Sequence, residues 1–240
     1  MASEEIRRIK NAYARRDSQG KARLYSIFNP SSLFLTQLRE RAVIHTLRKT
    51  GFEDLSEKRV LDVGCGTGGV LREFVKYGAK PENCYGIDLL RNRIAAARKL
   101  SPNMSFSCGG AQSLPYGSRF FDVILAFTLF TSILDAAMKQ KVAREMLRVL
   151  KSDGIVLWYD YHVNNPRNPD VRGVSKKEIV ELFSDCKIVL MRITLAPPIA
   201  RAVAPYSFLA CYFLEKIKLF NTHYFGYISK RQPEVRDVLI

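Results

Sequence analysis

The chain has 240 residues, 47% of them hydrophobic, which suits one domain with embellishments better than two independent domains. Thirty-eight Lys and Arg against 23 Asp and Glu give a formal charge of +15, an excess that attracts nucleic acid, an anionic membrane surface or a phosphorylated or carboxylated substrate without choosing among them. Cys65, Cys84, Cys108, Cys186 and Cys211 include no C-x-x-C pair, which argues against a disulfide framework and a zinc site and fits a reducing compartment.

The segment beginning Met1-Ala2-Ser3-Glu4-Glu5 is charged, so no cleavable signal is expected there and a cytoplasmic location is. Residues 1–50 read as a helical extension in two pieces. The second starts after Pro30 with Ser31 and Ser32 as candidate caps and carries Leu35, Leu38, Ala42 and Leu47 at helical spacing. From Lys58 short apolar runs alternate with amphipathic stretches, the pattern of βα units around a mostly parallel sheet. Strands are expected at 59–63, 84–88, 104–108, 121–127 and 154–159, with helices through Leu71 and Phe74, through Ile94 and Ala97, and over 138–150 ending near Asp153-Gly154. After the loop Asn164-Asn165-Pro166-Arg167-Asn168-Pro169, a Ser-x-x-Glu capping box opens a helix over 175–183. Two last strands are expected at 187–194 and 223–229. The apolar segment between them, about 196–220, must fold as a helical insertion within a core spanning 51–230, leaving 231–240 as a tail. Its stretch from Leu195 to Leu214 approaches membrane-span length, but Pro197, Pro198, Pro205 and Arg201 argue against a spanning helix and leave an interfacial one open.

Gly64, Gly66 and Gly68 follow a strand and open a helix, the context of a cofactor turn. Gly69 keeps a dinucleotide fingerprint compatible, so the glycines alone leave nicotinamide, flavin and S-adenosylmethionine open. Asp62 narrows the choice. A carboxylate at the strand end opposes a pyrophosphate by roughly 1 kcal/mol in water and about 4 at intermediate dielectric for charges about 4 Å apart, and attracts an ammonium and a sulfonium instead. Asp88 ends the second strand, where an acid can accept from ribose hydroxyls and also reads as a cap for the next helix.

The ordered series Val60-Leu61-Asp62-Val63-Gly64-Cys65-Gly66-Thr67-Gly68, Gly86-Ile87-Asp88, Ala111-Gln112-Ser113-Leu114-Pro115-Tyr116, Phe121-Asp122-Val123-Ile124 and Leu147-Arg148-Val149-Leu150-Lys151-Ser152-Asp153-Gly154 resembles the class I S-adenosylmethionine-dependent methyltransferases, of the small-molecule and glycan type found in bacteria. The resemblance implies a Rossmann-like, doubly wound α/β fold: a mostly parallel seven-stranded sheet, antiparallel in its last strand, with helices on both faces. It implies that Asp62, Gly64, Cys65, Gly66, Thr67 and Gly68 hold the methionine end of S-adenosylmethionine and that Asp88 holds the ribose. Leu89 would cover one adenine face, Ala111 and Gln112 its edge, and Phe127 would line the methyl donor. One departure stands out: Gly110 occupies a position commonly held by an aspartate, so Gln112 or backbone atoms must supply the contact to the adenine amino group.

Methyl transfer needs alignment and dryness before it needs a base. For an oxygen acceptor a base helps, and His162, just past the fifth strand, is the catalytic candidate, although it reads equally as a hydrogen-bonded loop histidine. Asp160 and Tyr161 are weaker candidates, His45 and His223 read as structural, and Arg167 and Arg172 as solvated loop charges able to meet an acidic acceptor. Tyr25, Phe28, Phe34, Tyr206, Phe208, Tyr212 and Phe213 supply aromatic surface on elements that resemble acceptor lids. The expected acceptor is a small molecule, a glycan or a lipid precursor, with no metal and no transmembrane segment, and with peripheral membrane contact left open. An RNA or protein methyltransferase recruited by charge is the alternative; Ala126-Phe127-Thr128-Leu129 stands where an Asn-Pro-Pro-Tyr-type tetrapeptide would follow the fourth strand. A binding protein that keeps the fold without turnover is the third.

Overall fold

The computed structural model describes residues 2–18, 24, 26–166 and 168–231. Seven strands, β1 (Val60–Val63), β2 (Cys84–Asp88), β3 (Ser105–Cys108), β4 (Phe121–Phe127), β5 (Leu150–Tyr161), β6 (Cys186–Leu195) and β7 (Asn221–Lys230), form one sheet in the order β3-β2-β1-β4-β5-β7-β6. The first five pair in parallel, and β7 runs antiparallel to both β5 and β6, so the expected α/β architecture is present. Every residue of β1 and β4 is buried, as a strand covered on both faces requires.

Helices α1 (Ala2–Ser18), α5 (Ala136–Val149) and α6 (Lys176–Leu182) cover one face, packing Ile9, Met146 and Ile179 against Ile124, Val156 and Trp158. Helices α2 (Pro30–Lys49), α3 (Gly69–Lys76) and α4 (Arg91–Leu100) cover the other, where Val43, Phe74 and Ile94 meet the opposite side chains of the same strands. The period of two along each strand divides the core into these two layers. The segment between β6 and β7 folds as α7 (Pro197–Val203) and α8 (Phe208–Lys216), joined to α2 by a third cluster around Phe34, Leu195, Ala200 and Cys211.

The boundaries of α2 and α5 differ from expectation for local reasons. Asn29, rather than Ser31 or Ser32, caps α2: its Oδ1 accepts from Ser31 N at 3.0 Å and Ser31 Oγ at 2.7 Å, and Pro30 takes the first helical position, where no amide is needed. α5 begins earlier because the Asp135 carboxylate accepts from Met138 N at 2.6 Å. It also ends before Asp153-Gly154: Leu150 is already extended and pairs with Phe121, while Val123 pairs with Ile155, so 151–154 bulge out of β5. The bulge is held by Lys151 Nζ, which donates to both Asp122 carboxylate oxygens at 2.8 and 2.9 Å. Tyr25, Arg167 and residues 232–240 of the expected tail lie outside the described residues.

Phe34 is fully buried and its ring meets those of Phe208 and Tyr212 at 5.6 and 5.0 Å, which fastens α8 to α2. Phe34→Ala is expected to cost about 3–5 kcal/mol of unfolding free energy in denaturant titration, and a loss below about 1 kcal/mol would show that this cluster is not cooperative with the core.

Candidate active site

The turn from β1 to α3 carries three left-handed glycines, Gly64, Gly66 and Gly68, with φ of +83°, +53° and +77°. A side chain at Gly66 would meet no atom within 4 Å, so backbone conformation and open space, rather than crowding, reserve this position. Cys65 turns its thiol into the sheet beside Gly86, where burial, with Asp62 and Asp88 near, pushes its pKa up, so it offers the turn its backbone. Thr67 is exposed, and its carbonyl accepts from Arg72 Nη1 at 2.9 Å.

Asp88 ties this turn to the next one. Its Oδ2 accepts from Gly66 N and its Oδ1 from Leu90 N, both at 2.9 Å, so it serves as a local cap while each oxygen keeps a lone pair for a hydroxyl. Asp62 is buried at the end of β1 and accepts no hydrogen bond from the described residues. Burial, reinforced by the charge of Asp88, pushes its carboxyl up to about 7, with Arg39 opposing the shift. Arg39, from α2, pairs with Glu73 Oε1 at 2.7 Å and lies 5.9 Å from the ring centroids of both Phe127 and Tyr159. Its Nε is buried without a hydrogen-bond partner among the described residues. Sequence reasoning passed over Arg39 because a lone arginine in a charged helix reads as solvated.

Beside Asp88 opens a cavity of about 490 Å³, within the range of small-ligand sites, lined by Gly64, Asp88, Leu89, Ala111 and Gln112 of the expected residues. Asp62, Cys65, Gly66, Thr67, Gly68, Phe127 and His162 are not among its lining. A Cβ on Gly110 would fall 2.3 Å from Gln112 Oε1; the glutamine amide therefore folds back over the place where a longer side chain at 110 would begin. Thr128, at the rim, adopts φ +52° and donates its amide to Tyr159 O at 2.7 Å, a strained position of the kind that gathers at binding sites.

Helix α1 forms one wall with Ile9 and Tyr13. It is pinned by Glu5, which accepts from Leu134 N at 2.6 Å and from Arg8, and by Tyr13 Oη, which bonds Ser132 Oγ at 3.0 Å. Pairing with Arg8 holds the Glu5 carboxyl down at about 2. This contact was invisible in sequence, since Glu5 and Leu134 are far apart along the chain. The loop that receives α1 is itself held by Asp160: its buried carboxylate accepts from Phe130 N, Thr131 N, Thr131 Oγ1 and Tyr161 N between 2.6 and 3.1 Å, which commits it to positioning.

His162 lies at the end of β5, its Nε2 2.9 Å from Asn221 O and its ring 4.6 Å from that of Tyr224. Burial lowers its pKa, so it is neutral near pH 7 with Nε2–H donated and Nδ1 bearing the lone pair. His223 is stacked on Tyr159 at 4.4 Å, its Nδ1 3.0 Å from Thr222 Oγ1, and burial lowers its pKa to about 3. His45 stays on the exposed side of α2. Arg172 pairs with Glu178 at 3.1 Å. Among the described residues no group of three or more His, Cys, Asp and Glu is arranged to hold a metal ion.

Residues 60–154, from the first strand through the bulge of β5, match the family described as "Methyltransferase domain". Norajmaline N-methyltransferase of Rauvolfia serpentina is 33% identical over 150 residues, 56% of this chain and 49% of that protein. The ubiquinone/menaquinone biosynthesis C-methyltransferase UbiE of Campylobacter jejuni is 30% identical over 107 residues, 43% of this chain and 44% of that one. Residues 60–154 of this chain form a methyltransferase domain. The chain spans about half the length of these curated relatives. Among solved structures, the fold is shared with the YcgJ protein of Bacillus subtilis (TM-score 0.54, 21% identity, 80% of this chain and 99% of that chain) and with the [4+2]-cyclase SpnF (TM-score 0.59, 21% identity, 82% and 83%).

Two outcomes are expected of the domain. Asp88→Ala and Gly66→Val each weaken S-adenosylmethionine binding by more than about tenfold, ~1.4 kcal/mol or more, in calorimetry on folded protein; unchanged affinity in either variant contradicts the assignment. Asp62 is protonated below pH 7 in the free chain, so binding a cation beside it expels a proton. Affinity therefore falls as pH drops below about 7, approaching tenfold per unit, and the slope disappears in Asp62→Asn. An equal slope in that variant would place the titration on another group.

Proposed function

We propose that the chain transfers the methyl group of S-adenosylmethionine to the oxygen of a small-molecule, glycan or lipid-precursor acceptor. The observation that carries this reading is the Asp62 carboxyl, buried beside the glycine turn and accepting no hydrogen bond from the described residues. An unmatched acid at the mouth of a bare turn suits an ammonium and a sulfonium and disfavours a diphosphate. In this reading the bare backbone of Gly64 to Gly68, Cys65 and Thr67 included, lies against the methionine end; the amides of Gly64 and Cys65 donate to Ile87 O, that of Gly66 to Asp88 Oδ2 and that of Gly68 to Cys65 O, so close approach of the turn makes the contact. Asp88 accepts from the ribose hydroxyls, Leu89 covers an adenine face, and Ala111 with the folded-back Gln112 amide reads its edge. Phe127 walls the methyl end, and Arg39 Nε is placed to meet a carboxylate there.

The cofactor supplies an electrophilic methyl group on sulfur. With it bound, the residues of this chain would orient the acceptor oxygen toward that methyl group and exclude water; alignment of this kind lowers barriers by about 7–11 kcal/mol. His162 takes the acceptor's hydroxyl proton at Nδ1, since its neutral ring is oriented through Nε2 by the Asn221 carbonyl. The names of these relatives include methylation at nitrogen and at carbon, so the choice of oxygen rests on this histidine. The charge of +15 favours one second reading, an RNA or protein methyltransferase, in which substrate affinity falls steeply with added salt.

Calorimetry with S-adenosylmethionine followed by an assay for S-adenosylhomocysteine against a panel of hydroxylated acceptors tests the proposal; cofactor binding without product across the panel would leave a binding protein. His162→Ala is expected to lower turnover by roughly a hundredfold or more with cofactor affinity unchanged within about twofold, and equal turnover removes it as the base.

A further inference from the structure

Large apolar side chains that remain in water gather on the insertion between β6 and β7. Tyr206 is 89% exposed, Leu209 65%, Phe213 68% and Leu219 83%. The helix α8 accounts for the pattern by having two sides. Phe208 and Tyr212, four residues apart, face Phe34 of α2, and Cys211 and Glu215 are buried beneath them. Leu209 and Phe213, also four apart, form the outward stripe, and Lys216 continues it three residues on. Phe28, exposed in the turn that enters α2, adds a further aromatic ring at the start of the helix on which α8 packs. A soluble surface ordinarily interrupts such a stripe with charges of both signs.

Here the charges have one sign. Between Ala196 and Phe220 the exposed charged groups are Arg201, Lys216 and Lys218, and Arg192 at the adjoining end of β6 is exposed as well. The one acid of the segment, Glu215, is buried, with Oε1 3.3 Å from Asn221 Nδ2 and 3.8 Å from Lys218 Nζ. Exposed aromatic and aliphatic side chains bordered by lysine and arginine, on a chain of net charge +15, complement an anionic interface with an apolar interior. No helix among the described residues is long and apolar enough to cross a bilayer, and α7 and α8 are separate short helices, which suits lying on a surface.

We propose that α7, α8 and the turn into β7 seat on an anionic bilayer surface, with Leu209, Phe213 and Leu219 at the boundary of headgroups and acyl chains and Arg201, Lys216 and Lys218 against the lipid phosphates. The docking holds whatever the methyl acceptor is. It also sets the active site one helix layer from the membrane, because α8 packs on α2 and α2 carries Arg39 to Phe127 and Tyr159.

Co-sedimentation tests this with vesicles of phosphatidylcholine mixed with phosphatidylglycerol and with vesicles of phosphatidylcholine alone, each over a range of salt. The full chain is expected to bind the mixed vesicles and to stay in solution with the neutral ones. Leu209→Gln combined with Phe213→Gln, at exposed positions that leave the fold intact, is expected to weaken vesicle binding at least about tenfold, while thermal unfolding and S-adenosylmethionine affinity stay as in the unmodified chain. Arg201→Gln combined with Lys216→Gln is expected to weaken binding and flatten its salt dependence. Three results overturn the proposal: no binding of the unmodified chain to the mixed vesicles; equal binding by the Leu209/Phe213 variant, which assigns the attraction to net charge alone; or a dimer of the unmodified chain that dissociates in that variant, which makes the stripe a contact between copies.

Discussion

One carboxylate joins the two turns that make the site. Asp88, at the end of β2, accepts from Gly66 in the turn after β1 and from Leu90 in the turn before α4, so two strand ends adjacent in the sheet are linked across their loops as well as along their ladder. The left-handed glycines make the first of these hydrogen bonds geometrically possible, since the amide of Gly66 turns outward only in a conformation that other residues adopt at a cost. The cavity beside Asp88 exists because these two turns are held apart by a fixed amount.

Around that link the molecule places charge where water is scarce. Asp62 sits deep enough for its carboxyl to be raised to about 7, and Arg39 and Glu73 lie near as a pair that only partly offsets it. A buried acid in this state is a cost to the folded chain and a source of affinity for a cation, which is how binding sites commonly differ from structural ion pairs. Asp160 shows the contrast. It is equally buried, but four donors surround it, so its charge is spent on holding the loop that receives α1.

The covering elements divide the work. α1 walls the cavity beside Asp88 through Ile9, Tyr13 and the Glu5 contacts, and α2 brings Arg39 to Phe127 and Tyr159. α7 and α8 pack on α2 and carry apolar side chains that remain exposed. A single polypeptide thus carries a cavity at one end of its sheet and, one helix layer from Phe127 and Tyr159, a basic and apolar surface.

The sheet and its cofactor turn were legible in sequence because both depend on local rules. Fully apolar runs mark strands buried on two faces, and glycines at 64, 66 and 68 with acids at 62 and 88 mark a turn that approaches a ligand. The folding of 196–220 into helices followed from its length alone, and the antiparallel last strand followed only from the resemblance to the methyltransferases. Contacts between residues distant in the chain were not legible. The bond from Glu5 to Leu134, the approach of Arg39 to Phe127 and Tyr159, and the tie of His162 to Asn221 each depend on how elements pack, and no spacing encodes them. The end of α5 was misplaced for the same reason: Asp153-Gly154 reads as a helix stop, yet pairing between Lys151 and Asp122 draws the chain into β5 four residues sooner than its glycine suggests. Residue types determined which chemistry this protein can hold, and packing alone decided which charges remain unmatched to perform it.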